Sequence, residues 1–142
     1  DPEVWFRYLQ YLDGAMIEAW AVDWNDDYIS VKSWEEQMSM AEEAQLRGKQ
    51  LILVSQGDQG DLQRQEFAFG SYLLINQGLA SFRYTNYRGN YPDAWLYSNY
   101  EINIGEPTGL RYQDGDVWRR DFTNGTLMVD PEKHQVEINV LE

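Results

Sequence analysis

The sequence predicts an α/β fold, in which three parallel strands alternate with helices and a small antiparallel sheet follows. Segments with helical period alternate with three apolar runs, which cover residues 14–20, 49–55 and 79–85. Such continuous runs are typical of parallel strands that helices cover. Three runs of alternating polar and apolar residues come next, over residues 117–122, 126–130 and 135–140. This period of two indicates antiparallel strands with one exposed face.

Helix end signals support the alternation. An acid and a proline open the first predicted helix, residues 2–12. Ser33 and Glu36 have the spacing of a capping box for the second helix, which is predicted to end at Gly48. An aspartate caps the third predicted helix, over residues 61–76.

The carboxyl ends of the three predicted parallel strands carry most of the polar residues near the sheet. The order α-β-α-β-α-β requires right-handed crossovers, which place these strand ends on one rim of the sheet. The residues expected there are Glu18, Ser55 to Asp58, and Arg83 to Tyr87. Enzymes with parallel sheets keep their chemistry at this rim.

The last third of the chain is predicted to form a hairpin and a third strand. Asn124 and Gly125 are the strongest short hairpin signal in the sequence. Residues 93–100 have the composition of one short helix. We therefore divide the chain into a parallel segment, residues 1–112, and antiparallel strands, residues 113–142, which are expected to pack on it as one structural unit.

Composition restricts the partners of this chain. Eleven Lys and Arg against 24 Asp and Glu give a formal charge of −13, which argues against nucleic acid and anionic membranes. The absence of cysteine excludes disulfides, a thiol nucleophile and thiolate metal sites, and gives no information on the compartment. No apolar run approaches the ~20 residues of a membrane span. A neutral or cationic partner is expected.

Carboxylates at the rim are the candidate catalytic groups. Glu18 is the only acid in an otherwise apolar strand, and the partial burial expected there would suit a general acid. Asp58 on the next rim loop, or Asp23, is the candidate second carboxylate. Asp61 is explained more simply as a helix cap. A pair of carboxylates is what hydrolysis of a glycosidic bond requires.

Aromatic residues near the rim add the second property of a sugar site, because the apolar face of a sugar ring stacks on aromatic rings. Aromatic residues make up 15% of the sequence. The candidate substrate-binding residues are Trp20, Trp24 and Tyr28 for stacking, and Arg83, Asn86 and Tyr87 for hydroxyl groups. Arg83 is equally suited to pair with an acid.

Metal and cofactor sites are not predicted. Asp23, Asn25 and Asp27 occupy the first three ligand positions of a calcium loop, but Tyr28 replaces the required glycine. His134 is the only histidine and lies in a charged turn, which supports neither a Ser-His-Asp triad nor a zinc site.

Several motifs together resemble a known family. They are Asp13-Gly14 with Glu18, Arg64-Gln-Glu-Phe, Ser71-Tyr-Leu-Leu, Leu79-Ala-Ser-Phe-Arg-Tyr, and Trp118-Arg-Arg-Asp-Phe-Thr-Asn-Gly-Thr-Leu-Met-Val-Asp-Pro131. This combination resembles the carboxyl-terminal part of hypothetical glycosyl hydrolase-like proteins with a (β/α)8 barrel. The resemblance covers nearly the whole chain, and its most specific part is the final motif. It implies a barrel enzyme that cleaves glycosidic bonds with paired carboxylates.

Three parallel strands are fewer than half of such a barrel, whose usual length is roughly 250 residues. Because the edges of a short parallel sheet are open to pairing, we expect either a homo-oligomer or association with the missing amino-terminal strands. The alternative function is a non-catalytic carbohydrate-binding or protein-interaction module derived from the barrel. A third interpretation is a truncated piece whose association is incidental.

Overall fold

Two sheets with a helix between them form the fold in the computed structural model, which describes residues 1–86 and 93–142. The parallel sheet has the order β1-β2-β3, with β1 at Gly14–Ile17, β2 at Gln50–Gln56 and β3 at Ala80–Thr85. The helices are α1 at Pro2–Leu9, α2 at Val31–Leu46 and α3 at Leu62–Ile75, and a short 3-10 helix spans Ser98–Glu101. The antiparallel sheet has the order β4-β5-β6-β7, at Tyr112–Asp114, Val117–Phe122, Gly125–Asp130 and Gln135–Val140.

The predicted fold class is confirmed. Both strand pairings in the first sheet are parallel, and all three in the second sheet are antiparallel. The described residues form an open sheet of three strands and no closed barrel. Within the same residues, no helix has the length and apolar character needed to cross a membrane.

Two predictions of where elements begin are wrong, one at the start of α2 and one at the hairpin turn between β5 and β6. The helix cap of α2 is Ser30, whose hydroxyl accepts a hydrogen bond from the Ser33 backbone amide at 3.2 Å, so Ser33 lies inside the helix. The hairpin turn lies at Thr123 and Asn124, because Gly125 already pairs with Phe122. A Cβ atom on Gly125 would lie 2.3 Å from the carbonyl oxygen of Asn139, so this glycine allows close approach of β7.

Helix and strand lengths also differ from those predicted at the start of the chain. Helix α1 ends at Leu9, where turns follow, and β1 ends at Ile17. The chain still follows β2 beyond that point, since the Trp20 amide donates to the carbonyl of Val54 at 3.1 Å. It then turns away at Ala21, whose φ is +62°. The Asp61 cap of α3 is confirmed, and its carboxylate accepts from the Arg64 amide at 3.2 Å.

Helix α3 is buried on two sides because it contacts both sheets. Its buried residues include Phe67 and Leu74, which share one core with Leu51 of β2 and Leu127 of β6. On the side of the antiparallel sheet, Gly70 lies against Val136 of β7. One core thus spans the predicted boundary at residue 112, which falls within β4.

We predict that Gly70→Ala destabilises the protein although alanine is the better helix former. A Cβ atom at this position would lie 2.6 Å from a γ-methyl carbon of Val136, and a β-branched side chain cannot move away easily. The expected loss is about 1 to 3 kcal/mol in the free energy of unfolding, measured by urea denaturation.

The same substitution in a Val136→Ala background provides the control. Without the γ-methyl groups, the alanine at position 70 is expected to be neutral or stabilising by up to about 1 kcal/mol, as helix propensity dictates. Equal losses in the two backgrounds would contradict the steric explanation.

Candidate functional site

The carboxyl ends of β1, β2 and β3 lie along one edge of the sheet, as their parallel pairing requires. We call this edge the rim. Side chains that alternate with the core residues Leu51 and Leu53 point to the side opposite α2 and α3. We call that side the far face. It includes Ile52 and Val54 of β2.

Glu18 directly follows β1 at the rim. Ile17 pairs with Leu53, so continuing the register by one residue places Glu18 level with Val54 and with its β3 partner Arg83. Because neighbouring strands are about 4.8 Å apart, the Glu18 and Arg83 backbones are roughly 10 Å apart. The expected partial burial of Glu18 is wrong, since its side chain is exposed. Its carboxylate makes no hydrogen bond or ion pair with any residue that the structure describes.

The other two candidate carboxylates lie on the loops that follow β1 and β2, and both are exposed. The Asp23 carboxylate accepts a hydrogen bond from the backbone amide of Trp24 at 2.8 Å. The backbone carbonyl of Asp58 accepts from the Tyr84 hydroxyl at 2.8 Å. The backbones of both loops are therefore held in place while their carboxylates remain accessible.

The predicted stacking residues have different environments. Trp20 is fully buried, and its Nε1 donates to the Ala68 carbonyl at 3.2 Å. It therefore belongs to the core and presents no face on which a sugar could stack. Trp24 is 46% exposed. Tyr28 is half-buried, and the ring of His134 stacks on it at 3.7 Å between centroids, so one of its faces is covered.

The predicted hydroxyl-binding residues follow β3 or lie in it. Arg83 is half-buried, and its guanidinium donates to the backbone carbonyl of Asp93 at 3.2 Å. Asn86 directly follows β3 and is also half-buried. Tyr87 lies outside the described residues.

Sequence reasoning missed Arg64, whose side chain binds the backbone of two segments at the rim. Its buried guanidinium donates from Nε to the Gln56 carbonyl at 2.7 Å, from Nη1 to the Asp27 carbonyl at 2.7 Å, and from Nη2 to the Asp23 carbonyl. One cation thus connects the loop after β1 to the end of β2. Its place in a family-like motif was the only signal, because its partners are backbone carbonyls, which any sequence supplies.

Gly57 leaves room for this arrangement. A Cβ atom there would lie 2.3 Å from the Tyr84 hydroxyl oxygen and 2.7 Å from Nε of Arg64. Burial raises the pKa of Tyr84 well above that of a free tyrosine, so its hydroxyl remains a donor to the Asp58 carbonyl. Burial also raises the pKa of Tyr97 to about 12, and its hydroxyl donates to the Gln59 carbonyl at 2.8 Å. Neutral phenols therefore hold the β2 loop.

His134 connects the antiparallel sheet to the rim. It lies in the turn between β6 and β7 with a φ of +54°, and it contacts Phe67 edge to face as well as stacking on Tyr28. Burial lowers the pKa of His134, and the nearby carboxylates of Glu132 and Asp130 oppose this effect. Burial in this contact therefore favours the neutral imidazole.

Neither the surface clefts nor the search for metal-binding groups among the described residues singles out the candidate carboxylates. Five surface clefts are lined by described residues, and none of these five includes Glu18, Asp23 or Asp58. Among residues 1–86 and 93–142, no group of three or more His, Asp and Glu side chains is arranged to hold a metal ion. The rim is thus a surface with exposed acids, one exposed indole and a buried cation beneath it.

Comparison with known proteins identifies the family. The model of hypothetical glycosyl hydrolase family 15 matches residues 3–126. Since this match covers most of the chain, the protein belongs to that family of hypothetical glycosyl hydrolase-like proteins. A search of curated proteins found no match.

We predict that Arg64→Met costs about 3 kcal/mol or more in the free energy of unfolding, because three carbonyls lose their hydrogen-bond donor. Urea denaturation measures this loss. Arg119→Met is the matched control, since Arg119 pairs with Asp114 at the surface and its loss should change stability by less than about 0.5 kcal/mol. Similar effects of the two substitutions would contradict the assigned role of Arg64.

The lowered pKa of His134 predicts a pH dependence of stability. An unfolded histidine has a pKa of 6.5, so just below that pH the unfolded chain binds more protons than the folded chain. The contribution of His134 to stability is therefore full above pH 6.5 and declines as the pH falls through 6.5 towards the folded pKa. Urea denaturation over this range should show a steeper decline for the wild type than for His134→Asn, because asparagine tolerates the positive φ. If the stabilities of the wild type and of His134→Asn declined in parallel with pH, the assigned effect of His134 would be contradicted.

Proposed function

We propose that the rim binds carbohydrate and that Glu18 is a catalytic carboxylate in the hydrolysis of a glycosidic bond. The observation that carries this proposal is the position of Glu18, which directly follows a parallel strand at the rim and is level with Arg83. Catalytic residues of barrel enzymes commonly occupy such strand ends. Family membership supports the same reaction class.

The chemistry needs two carboxyl groups on opposite sides of the bond. Glu18 either donates a proton to the leaving glycosidic oxygen or attacks the anomeric carbon, while Asp58 or Asp23 takes the complementary role. If Glu18 attacks, the second carboxyl group protonates the leaving oxygen and then removes a proton from the water that cleaves the glycosyl ester on Glu18. In the direct displacement, the second carboxylate removes a proton from water as the water oxygen attacks the anomeric carbon. The leaving sugar departs with the proton from the acid, so charge and protons balance.

Trp24 is the proposed stacking platform, because its indole is exposed on the loop that Arg64 holds. Arg83 and Asn86 are the proposed hydrogen-bonding residues for sugar hydroxyls. Tyr28 contributes only the side of its ring that His134 leaves uncovered. This arrangement places one apolar platform beside the polar groups that a sugar requires.

The second candidate function is carbohydrate binding without catalysis. The exposure of Glu18 favours it, because a general acid in glycoside hydrolysis typically lies in an apolar pocket that excludes water. The expected association with a second copy, or with further barrel strands, stays a prediction.

We predict that Glu18→Gln abolishes hydrolysis of chromogenic aryl glycosides and leaves glycan binding intact. Amide and carboxyl groups have the same shape, so binding contacts survive while proton transfer is lost. A loss of turnover of at least about 100-fold is expected, as for a general acid or base. The measurements are a panel of aryl glycosides for turnover and calorimetry for binding.

Two variants separate the candidate functions. Trp24→Ala should weaken glycan binding whether or not the protein is an enzyme, and Glu36→Gln, an exposed acid on α2, should change neither property. Glycan binding without turnover in the wild type would favour the binding module. Full turnover in Glu18→Gln would remove Glu18 from the mechanism.

A further inference from the structure

A cleft beside β3 lies between this strand, α3 and the segment that follows the 3-10 helix. Its volume of about 560 Å³ is within the range of roughly 300–1,000 Å³ that is typical of small-molecule sites. Consecutive residues of a strand point to opposite sides of the sheet, and both Ser81 and Phe82 line this cleft, so it lies at the edge of β3. No described strand pairs with that edge. We call this site the edge cleft.

Four aromatic rings form the apolar part of the edge cleft. Phe69 and Tyr72 of α3, Phe82 of β3 and Tyr100 of the 3-10 helix form one cluster, with ring centroids 5.1 to 6.3 Å apart. Phe69 is buried, whereas the other three are half-buried and keep part of their surface accessible. Burial raises the pKa of Tyr72 and of Tyr100, so both phenols stay neutral. Such rings suit the apolar face of a sugar ring.

The edge cleft also has polar side chains that are available to a ligand. Asn103 and Glu106 line it and are exposed, and their side chains make no hydrogen bond or ion pair with any described residue. Their backbones are fixed, because the Asn103 carbonyl accepts from Nδ2 of Asn124 at 2.7 Å and the Glu106 amide donates to Oγ1 of Thr123 at 3.0 Å. A fixed backbone thus presents an amide and a carboxylate beside the aromatic rings.

The combination of these groups selects the class of ligand. No Lys, Arg or His is among the described residues that line the edge cleft, and the carboxylate of Glu106 repels anions. An alkylammonium ion would suit the rings and Glu106, but it would leave the amide of Asn103 without a partner. Sugar hydroxyls match both side chains, because they donate to the carboxylate and both donate to and accept from the amide.

We infer that the edge cleft binds a neutral sugar ring at a site separate from the rim. Ser81 lies four residues before Thr85 at the rim, about 13 Å along the strand, so one sugar ring cannot occupy both places. A neighbouring cleft of about 540 Å³ shares Gly105 and Glu106 with the edge cleft, which gives room for further sugar units. The inference extends the proposed carbohydrate function to a second surface and needs no catalysis at Glu18.

Glu106→Gln tests the edge cleft, because the amide has the shape of the carboxylate and lacks its charge. The probes are trisaccharides of glucose, mannose, galactose and N-acetylglucosamine, with affinity from calorimetry and Tm from thermal denaturation. We expect binding weaker by roughly tenfold or more, the size of one hydrogen bond to a charged group. The Tm should not change, since this side chain has no partner among the described residues. Glu101→Gln is the matched control, because Glu101 is an exposed acid of the 3-10 helix that does not line the cleft.

Trp24→Ala separates the edge cleft from the rim, because it removes the exposed indole of the rim and leaves the rings of the cleft in place. In saturation-transfer NMR, irradiation of the aromatic protons of this variant should still saturate the ring C–H protons of a bound trisaccharide. Adding Glu106→Gln to Trp24→Ala should reduce this transfer.

Each outcome decides the inference. Unchanged affinity in Glu106→Gln, in a wild type that binds these trisaccharides, would overturn the inference and leave the proposed function standing. Weaker binding in Glu106→Gln with unchanged binding in Trp24→Ala would support the edge cleft and remove Trp24 from the proposed function. A lower Tm in Glu106→Gln, or binding of tetramethylammonium but of no trisaccharide, would overturn the inference. A wild type that binds none of the trisaccharides overturns both the inference and the proposed function.

Discussion

The burial of α3 between two sheets is the constraint on which the rest of the structure depends. Its amino-terminal turn carries Arg64, which holds the rim loops, and its middle carries Gly70, which allows β7 to approach. Its apolar residues share one core with both sheets. A helix that is enclosed in this way fixes the distance and orientation of each sheet relative to the other, because side chains in a close-packed core leave few alternatives.

Arg64 is an unusual choice for a buried position, because a buried charge ordinarily requires an opposite charge. Here the guanidinium donates to three backbone carbonyls, whose dipoles replace its hydration. The planar group with its several N–H donors suits three separate acceptors, which a lysine ammonium would reach less well. Arg64 binds the backbone carbonyls of Asp23 and Asp27, and the side chains of these two residues remain exposed at the surface.

Local patterns in the sequence predicted the fold class, the parallel direction of the three strands and the Asp61 cap, because these depend on period and on short-range hydrogen bonds. Partners distant in the chain could not be predicted. Trp20 is buried in the core, where its indole donates to the carbonyl of Ala68, 48 residues away in the chain. The sequence pattern indicated that Gly125 is a turn residue. In the structure it lies in a strand, and its lack of a side chain leaves room for the backbone carbonyl of Asn139 on the neighbouring strand. The exposure of Glu18 could not be predicted either, because it depends on whether a distant part of the chain packs against the end of β1.

The three hydrogen bonds of Arg64 have a consequence for motion at the rim. Because one rigid guanidinium binds carbonyls of the loop after β1 and of the end of β2, these segments cannot fluctuate independently of each other. Much of the conformational entropy that a ligand would remove from two separate loops has already been lost on folding. The rim therefore receives a ligand as one prearranged surface, and contact with either segment is transmitted to the other.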